Sequence, residues 1–342
     1  MAMIGRSPEW FPHQIDLATD RVVLLRMSEA DYRAASFLDQ RALRPGAEMR
    51  AVEWKALADD VPRDARRDAQ YIFHIGNVGS TLISRLLGEL PGVLALREPL
   101  LLRAFAEMLG PVSPPSPWVD TDGRLDTLTA LLSRTFRPEQ RAIVKATSFT
   151  SEIARRLIPP ASNTLFLFAT PEHYLENILA GENSRKLLQI VSPSRLQRLQ
   201  SRCPGLELDL APMSEARKAA LGWACEMTSL ELNASKLPAD SVRWMDFDLF
   251  LADPARHFAE LAAFFSHPVE AATAQTVCDG PLMRRYSKAL EYEYSPELRR
   301  EILAEARATH GPAISDALGW LDALASDYPA VAQAIRRARR EA

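Results

Sequence analysis

Tyr71-Ile72-Phe73-His74-Ile75-Gly76-Asn77-Val78-Gly79-Ser80-Thr81-Leu82-Ile83-Ser84-Arg85-Leu86-Leu87 is the stretch whose reading decides the fold. An apolar, strand-like segment runs through a turn with two glycines and two hydroxyls into a helix. Leu82, Ile83, Leu86, Leu87 and Leu90 share one face of that helix. A strand end, a glycine turn and a helix N-terminus aim several unpaired backbone N–H groups, and the positive end of the helix dipole, at one point where an anion fits. Glycine lets the backbone approach closely, and Ser80 and Thr81 add hydroxyl donors in the first turn. Pro91-Gly92 then ends the helix. Gly76, Asn77, Val78, Gly79, Ser80, Thr81 and Leu82 are thus candidate anion-binding residues, although buried strand–turn–helix units also carry Gly-x-x-Gly for steric reasons alone. The loop lacks the lysine of Gly-x-x-x-x-Gly-Lys-Ser/Thr, which disfavours a kinase or ATPase, and it lacks the third glycine of a dinucleotide fingerprint.

Outward from this unit, the order is strand, helix, strand, helical connection, strand, helix, strand. That order implies a parallel α/β sheet with right-handed crossovers, flanked by helices. Leu96-Arg97-Glu98-Pro99 closes a short strand, and Ala142-Ile143-Val144-Lys145 is an apolar strand ending in lysine. Thr164 to Ala169 reads as a buried strand before Thr170-Pro171 and a helix. Val242 to Asp248 reads as another strand, followed by Asp253-Pro254 and a helix to Phe265. Glu98 beside Arg97 also fits a salt-bridging or capping carboxylate, and Lys145 also fits a surface lysine at a sheet end.

Taken together, these segments resemble the sulfotransferase family, particularly its tyrosylprotein branch and bacterial relatives. Val78-Gly79-Ser80-Thr81-Leu82 is similar to the second half of the family's 5′-phosphosulfate loop, and the similarity extends over about residues 70 to 300. The resemblance implies a P-loop-like α/β sulfotransferase fold and sulfonyl transfer from 3′-phosphoadenosine 5′-phosphosulfate to a hydroxyl acceptor. It implies Glu98 as catalytic base and Lys145 as a cation on the donor, and no metal. Three positions depart from the family pattern. Asn77 stands where the loop carries a lysine or arginine, Thr170 where an arginine holds the 3′-phosphate, and Asn177 or Ile178 where a serine does. A buried, multiply charged phosphate needs charge-assisted partners. Replacement cations are sought in Arg85, in Arg185-Lys186 and, first, in Arg284 and Arg285 of the late basic run Arg284-Arg285-Tyr286-Ser287-Lys288. A catalytically retired protein of this fold, binding a phosphorylated ligand or a protein or peptide partner, is the alternative.

With 342 residues, 47% hydrophobic and 25% charged, the chain can bury a sizeable core. A net charge of −3 argues against a general nucleic-acid binder. No apolar run is long enough to span a bilayer, and Met1 to Trp10 lacks a signal pattern, so a cytoplasmic location is expected. Cys203, Cys225 and Cys278 are too widely spaced for a disulfide framework or a metal knuckle. His74 reads as a hydrogen-bonded core histidine, and His173 with Glu176 as a surface pair. Residues 1 to 68 are expected to be an N-terminal extension, with a strand at Arg21–Leu25, a helix capped by Ser28 and a second helix from about Val52 to Asp59. Residues 69 to 342 are expected to form the α/β domain and its helical tail, with a proline-rich loop from Pro111 to Pro117.

Overall fold

The computed structural model describes residues 4–113, 118 and 120–341. Two sheets organise the chain. The first is antiparallel, in the order β1-β2-β3, with β1 at Trp10–Asp16, β2 at Arg21–Arg26 and β3 at Met49–Glu53. The second has five strands, all parallel: β4 (Gln70–His74), β5 (Val93–Arg97), β6 (Arg141–Lys145), β7 (Thr164–Phe168) and β8 (Val242–Asp246). Its order is β5-β6-β4-β7-β8. The parallel α/β sheet flanked by helices that the sequence implies is present.

Strands β4, β5 and β7 are buried at every position. Their continuous apolar runs follow from helices covering both faces of a parallel sheet. Helices Ser80–Leu87 and Pro254–Phe264 pack together on one face. Leu100–Leu109, Pro171–Ala180 and the nearly fully buried Glu215–Ala234 lie on the other, where Trp223 Nε1 donates to the Ala169 carbonyl at 2.9 Å. The tail forms two helices, Pro296–Asp327 and Pro329–Glu341. The first packs on Pro171–Ala180 and Glu215–Ala234.

Near the N-terminus, Ser28 and Asp31 form a reciprocal capping box, as the acidic first turn predicts. The helix expected from Val52 begins at Trp54 instead, because Met49–Glu53 pairs with β2. Strand β1 has no counterpart in the sequence reading. Pro12 sits within it, and proline is tolerated there because β1 is an edge strand. Of the expected proline-rich loop, residues 114–117 lie outside the described residues, as do residues 1–3 of the N-terminal segment.

The segment after β2 is fastened to the parallel sheet at the carboxyl end of its edge strand β5. Leu38 N–H donates to the Arg97 carbonyl at 2.6 Å, and Leu100 N–H to the Leu38 carbonyl at 3.1 Å. Arg97 is buried and turns its guanidinium onto the carbonyls of Ala35 and Arg33 at 2.8 and 2.9 Å. Burial, and then Arg85 nearby, push Arg97 down to about 9.

Among the described residues, no helix is long and apolar enough to cross a membrane.

Candidate functional site

The chain leaves β4 toward one face of the sheet and leaves its neighbours β6 and β7 toward the other. A crevice therefore opens above the carboxyl ends of β4 and β6, which is where open α/β sheets place ligands. The loop Gly76–Gly79 follows β4, and Lys145 ends the neighbouring strand β6.

Gly76, Asn77 and Gly79 all have positive φ, at 88°, 54° and 66°. Gly79 is further constrained, because a Cβ there would lie 1.9 Å from the Phe247 ring. Gly79→Ala should therefore combine a strained backbone with overpacking and lower stability by roughly 2–5 kcal/mol, read by urea denaturation. An unchanged midpoint would show that Phe247 yields freely. Asparagine is the non-glycine residue that best tolerates a left-handed φ, which gives Asn77 a backbone role that lysine or arginine would fill less well.

Three side chains fix the loop. His74 Nδ1 accepts from the Gly76 N–H at 3.0 Å. Burial, followed by Lys145 and Lys288, pushes His74 well below the usual imidazole range, so it is neutral and supports the turn. Asn177 Nδ2 donates to the Asn77 carbonyl at 2.6 Å. Lys288 Nζ donates to Asn77 Oδ1 at 3.2 Å. Val78 and Leu82 face the core, Ser80 and Thr81 are buried in the first helical turn, and the hydroxyls of Thr81 and Ser84 have no partner among the described residues.

At the end of β6, the Lys145 side chain is 1% exposed and pairs with the Glu98 carboxylate, itself 16% exposed. Parallel register makes this contact. Arg97 and Lys145 are Cα partners in β5 and β6, and the Glu98 N–H donates to the Lys145 carbonyl at 2.7 Å. Glu98 has φ +51° immediately before a proline, a backbone cost of about 1–3 kcal/mol that aims its carboxylate back over β6. Burial pushes Lys145 down to about 8. Glu98 opposes that shift, and Lys288 and Arg97 add to it. Lys288 is likewise lowered by burial, against the pull of Glu98. Lys145 thus has the Glu98 carboxylate as its ion-pair partner, while Lys288 is bonded to Asn77.

The late basic run delivers a different residue from the expected pair. Arg284 and Arg285 are exposed, and Lys288 is the residue that reaches the loop. The backbone explains why. Tyr294 N–H donates to the Arg284 carbonyl and Tyr286 N–H to the Tyr292 carbonyl, closing residues 284–294 into a hairpin-like turn with both arginines outside. Arg85 Nε holds the Ser287 carbonyl at 2.9 Å, and the next residue is thereby set against Asn77. Arg85 also donates to Ser36 Oγ at 2.7 Å, so it clamps the structure and does not face the loop. Arg185 pairs with Glu215 at 3.5 Å, and Lys186 with Glu182 at 2.6 Å. Thr170 caps the helix Pro171–Ala180. His173 is a partner of Asp248 at 3.0 Å rather than of Glu176, and that hydrogen bond raises its pKa. Glu176 is fully buried and paired with Arg307. Among the described residues, no three His, Cys, Asp or Glu side chains converge as a metal site requires.

No protein-family profile and no curated protein sequence matches this chain. Among solved structures, it is similar to the sulfotransferase domain from the curacin biosynthetic pathway, at 14% identity and TM-score 0.45, over 68% of this chain and 86% of that one. It is similar to a sulfotransferase from Mycobacterium avium, at 13% identity and TM-score 0.38, over 74% and 78% of the two chains. It is also similar to a mouse sulfotransferase complexed with PAP, at 11% identity and TM-score 0.34, over 63% and 65%. At these values the likeness concerns the course of the backbone and assigns no chemistry.

Proposed function

We propose that this chain is a sulfotransferase that moves a sulfonyl group from 3′-phosphoadenosine 5′-phosphosulfate to a hydroxyl acceptor. The observation that carries this reading is the surplus of positive charge in the crevice. Lys145 is ion-paired with Glu98 and Lys288 bonds Asn77 of the loop, beside a turn and a helix N-terminus that present N–H groups. A buried ammonium pushed down to about 8 is an under-compensated charge, and an anion beside it relieves the penalty. The partnerless hydroxyl of Thr81, in the first turn, is a further donor suited to a phosphosulfate oxygen.

In this reading the loop amides from Asn77 to Leu82, with Ser80 and Thr81, hold the 5′-phosphosulfate, the Gly76 N–H being taken by His74. Lys288, oriented by Asn77, supplies the cation missing from the loop itself. A new S–O bond forms to the acceptor oxygen as the S–O bond to the bridging oxygen breaks, and adenosine 3′,5′-bisphosphate leaves. Lys145 stabilises the charge that develops on the bridging oxygen, and Glu98 takes the acceptor proton.

A second reading has its own observation. Thr170 is a helix cap where the resembling enzymes place a 3′-phosphate arginine, which favours a protein that binds a phosphorylated ligand without turnover. Thermal shift with adenosine 3′,5′-bisphosphate, AMP and ATP separates the cases, because a ligand of the folded state alone stabilises by about 2.7 kcal/mol at a hundred times its Kd. The bisphosphate should raise Tm more than AMP or ATP does. Equal shifts from AMP and the bisphosphate would remove the 3′-phosphate site, and no shift from any of them would remove both readings.

A further inference from the structure

A cleft of about 470 Å³ opens beside the crevice, between the N-terminal segment and the late turn. That volume suits a small molecule. Its walls are not a loose flap. Residues 32–38 are held to Arg97 and Arg85 by the hydrogen bonds described above, and Arg85 also holds Ser287, beside Lys288. Lys288 lines this cleft and also reaches Asn77, so cleft and crevice share a wall. Phe37 forms the partition. Lys145 Nζ lies 5.6 Å from its ring centroid, and the Arg41 guanidinium stacks 3.5 Å from the same centroid.

Arg26, Arg41, Arg44 and Lys288 line the cleft with one carboxylate, Asp31, while Glu48 and Asp39 pair with Arg26 and Arg41 from outside the lining. Each arginine is oriented by a carboxylate: Arg41 by Asp39 through both Nε and Nη2 at 2.9 and 2.5 Å, Arg44 Nη1 by Asp31 at 2.9 Å, and Arg26 by Glu48 through Nη1 at 2.8 Å and by Glu9 through Nη2 at 3.5 Å. Arg41 Nη1 and Arg44 Nη2 remain without partners among the described residues, and all three side chains are more than half exposed. Pro45, with the half-buried Ala42 and Ala47, supplies apolar surface between these cations, and Leu25 and Met27 lie buried beneath.

We propose that this cleft is the acceptor site and that it selects a small hydroxyl compound with an apolar body and an anionic group. The anion is held by Arg41 and Arg44, and the hydroxyl is delivered past Phe37 to Glu98. This assignment rests on the sulfonyl-transfer reading, and it goes further by fixing the acceptor's charge. Pre-oriented guanidinium forks are well suited to carboxylate, sulfate or phosphate. A neutral analogue would leave them without that anion.

The test uses 3-(4-hydroxyphenyl)propionate and 12-hydroxydodecanoate, each against its uncharged amide, with the full chain saturated by adenosine 3′,5′-bisphosphate. Binding is measured by calorimetry, and KM and kcat are measured with the sulfonyl donor in place. At least one acid should bind about tenfold or more tightly than its amide, a charge-assisted hydrogen bond being the difference. The preference should appear in KM and shrink to about twofold in Arg44→Gln. A merely structural role for Arg44 would weaken acid and amide alike and leave their ratio intact. If the bisphosphate fails to bind the wild type, the sulfotransferase reading itself falls. If it binds but acids and amides bind equally, or no acid binds, the anionic-acceptor proposal is overturned while that reading stands.

Discussion

Lys145→Ala is expected to abolish sulfonyl transfer in a single-turnover assay, a loss of at least the 10²–10³-fold seen when one preorganised donor to a developing anion is removed. The effect should be at the upper end here, because the lysine is 1% exposed and acts where water is largely excluded. The same burial gives a pH signature with a definite sign. The folded pKa is about 8, below the ordinary lysine value of 10.5, so between those limits the unfolded chain binds more protons than the folded one. This group therefore makes the ligand-free protein more stable as pH rises from about 8 toward 10.5, and that component should be missing from Lys145→Ala. Donor affinity should move the other way. It requires the ammonium, so bisphosphate binding should weaken as pH passes about 8, and Lys145→Arg should reduce that decline to the part that Lys288 contributes, because arginine stays charged. Robust transfer by Lys145→Ala would sink the mechanism even though the fold is unaffected.

How much of this arrangement was legible in the sequence depended on the range of the contacts. The Gly76–Gly79 turn is a local pattern set by backbone conformation, and it is present as expected. The helix after it is also present, but it ends at Leu87 with Gly88 as its C-cap, so Leu90 lies beyond it, and it is buried on every side rather than along one face. The apolar strand before Lys145 announced that a lysine would end a strand. That it meets Glu98 could not be read, because the meeting depends on the register of β5 against β6. Arg97, the adjacent residue and so the obvious partner for Glu98, points instead to the carbonyls of Arg33 and Ala35, since successive strand residues face opposite ways. The late basic run was visible as charge, but charge alone does not say which of its residues faces inward. A clamp from Arg85 to Ser287, 202 residues away in sequence, selects Lys288 over Arg284 and Arg285. Phe37 and Arg41 carry no motif, and their place beside Lys145 is a product of tertiary packing alone.

The other large effect is expected from Glu98→Gln, which should lower turnover by roughly 10²–10⁴-fold, the usual consequence of losing a general base. The carboxylate has two functions in the structure, as the proposed proton acceptor and as the partner of Lys145, and the amide separates them. It is nearly isosteric and keeps an oxygen to accept from the ammonium, so the geometry of the end of β5 should survive. Charge changes by one unit, however, leaving Lys145 without its carboxylate partner. Loss of the carboxylate also removes the group that holds the Lys145 pKa up, so the site is more positive only at a pH low enough to keep the ammonium protonated, and there affinity for adenosine 3′,5′-bisphosphate should hold or increase while transfer falls. That opposition in sign is the diagnostic. A purely structural Glu98 would give parallel losses of binding and turnover, because the crevice itself would open. Glu98→Asp provides the bracket: aspartate tolerates the left-handed backbone at this position and keeps the charge, but retracts the carboxylate by one methylene. Its turnover should fall between wild type and Glu98→Gln. If Glu98→Asp transferred no faster than Glu98→Gln while binding donor normally, position rather than basicity would be the limiting property of this carboxylate.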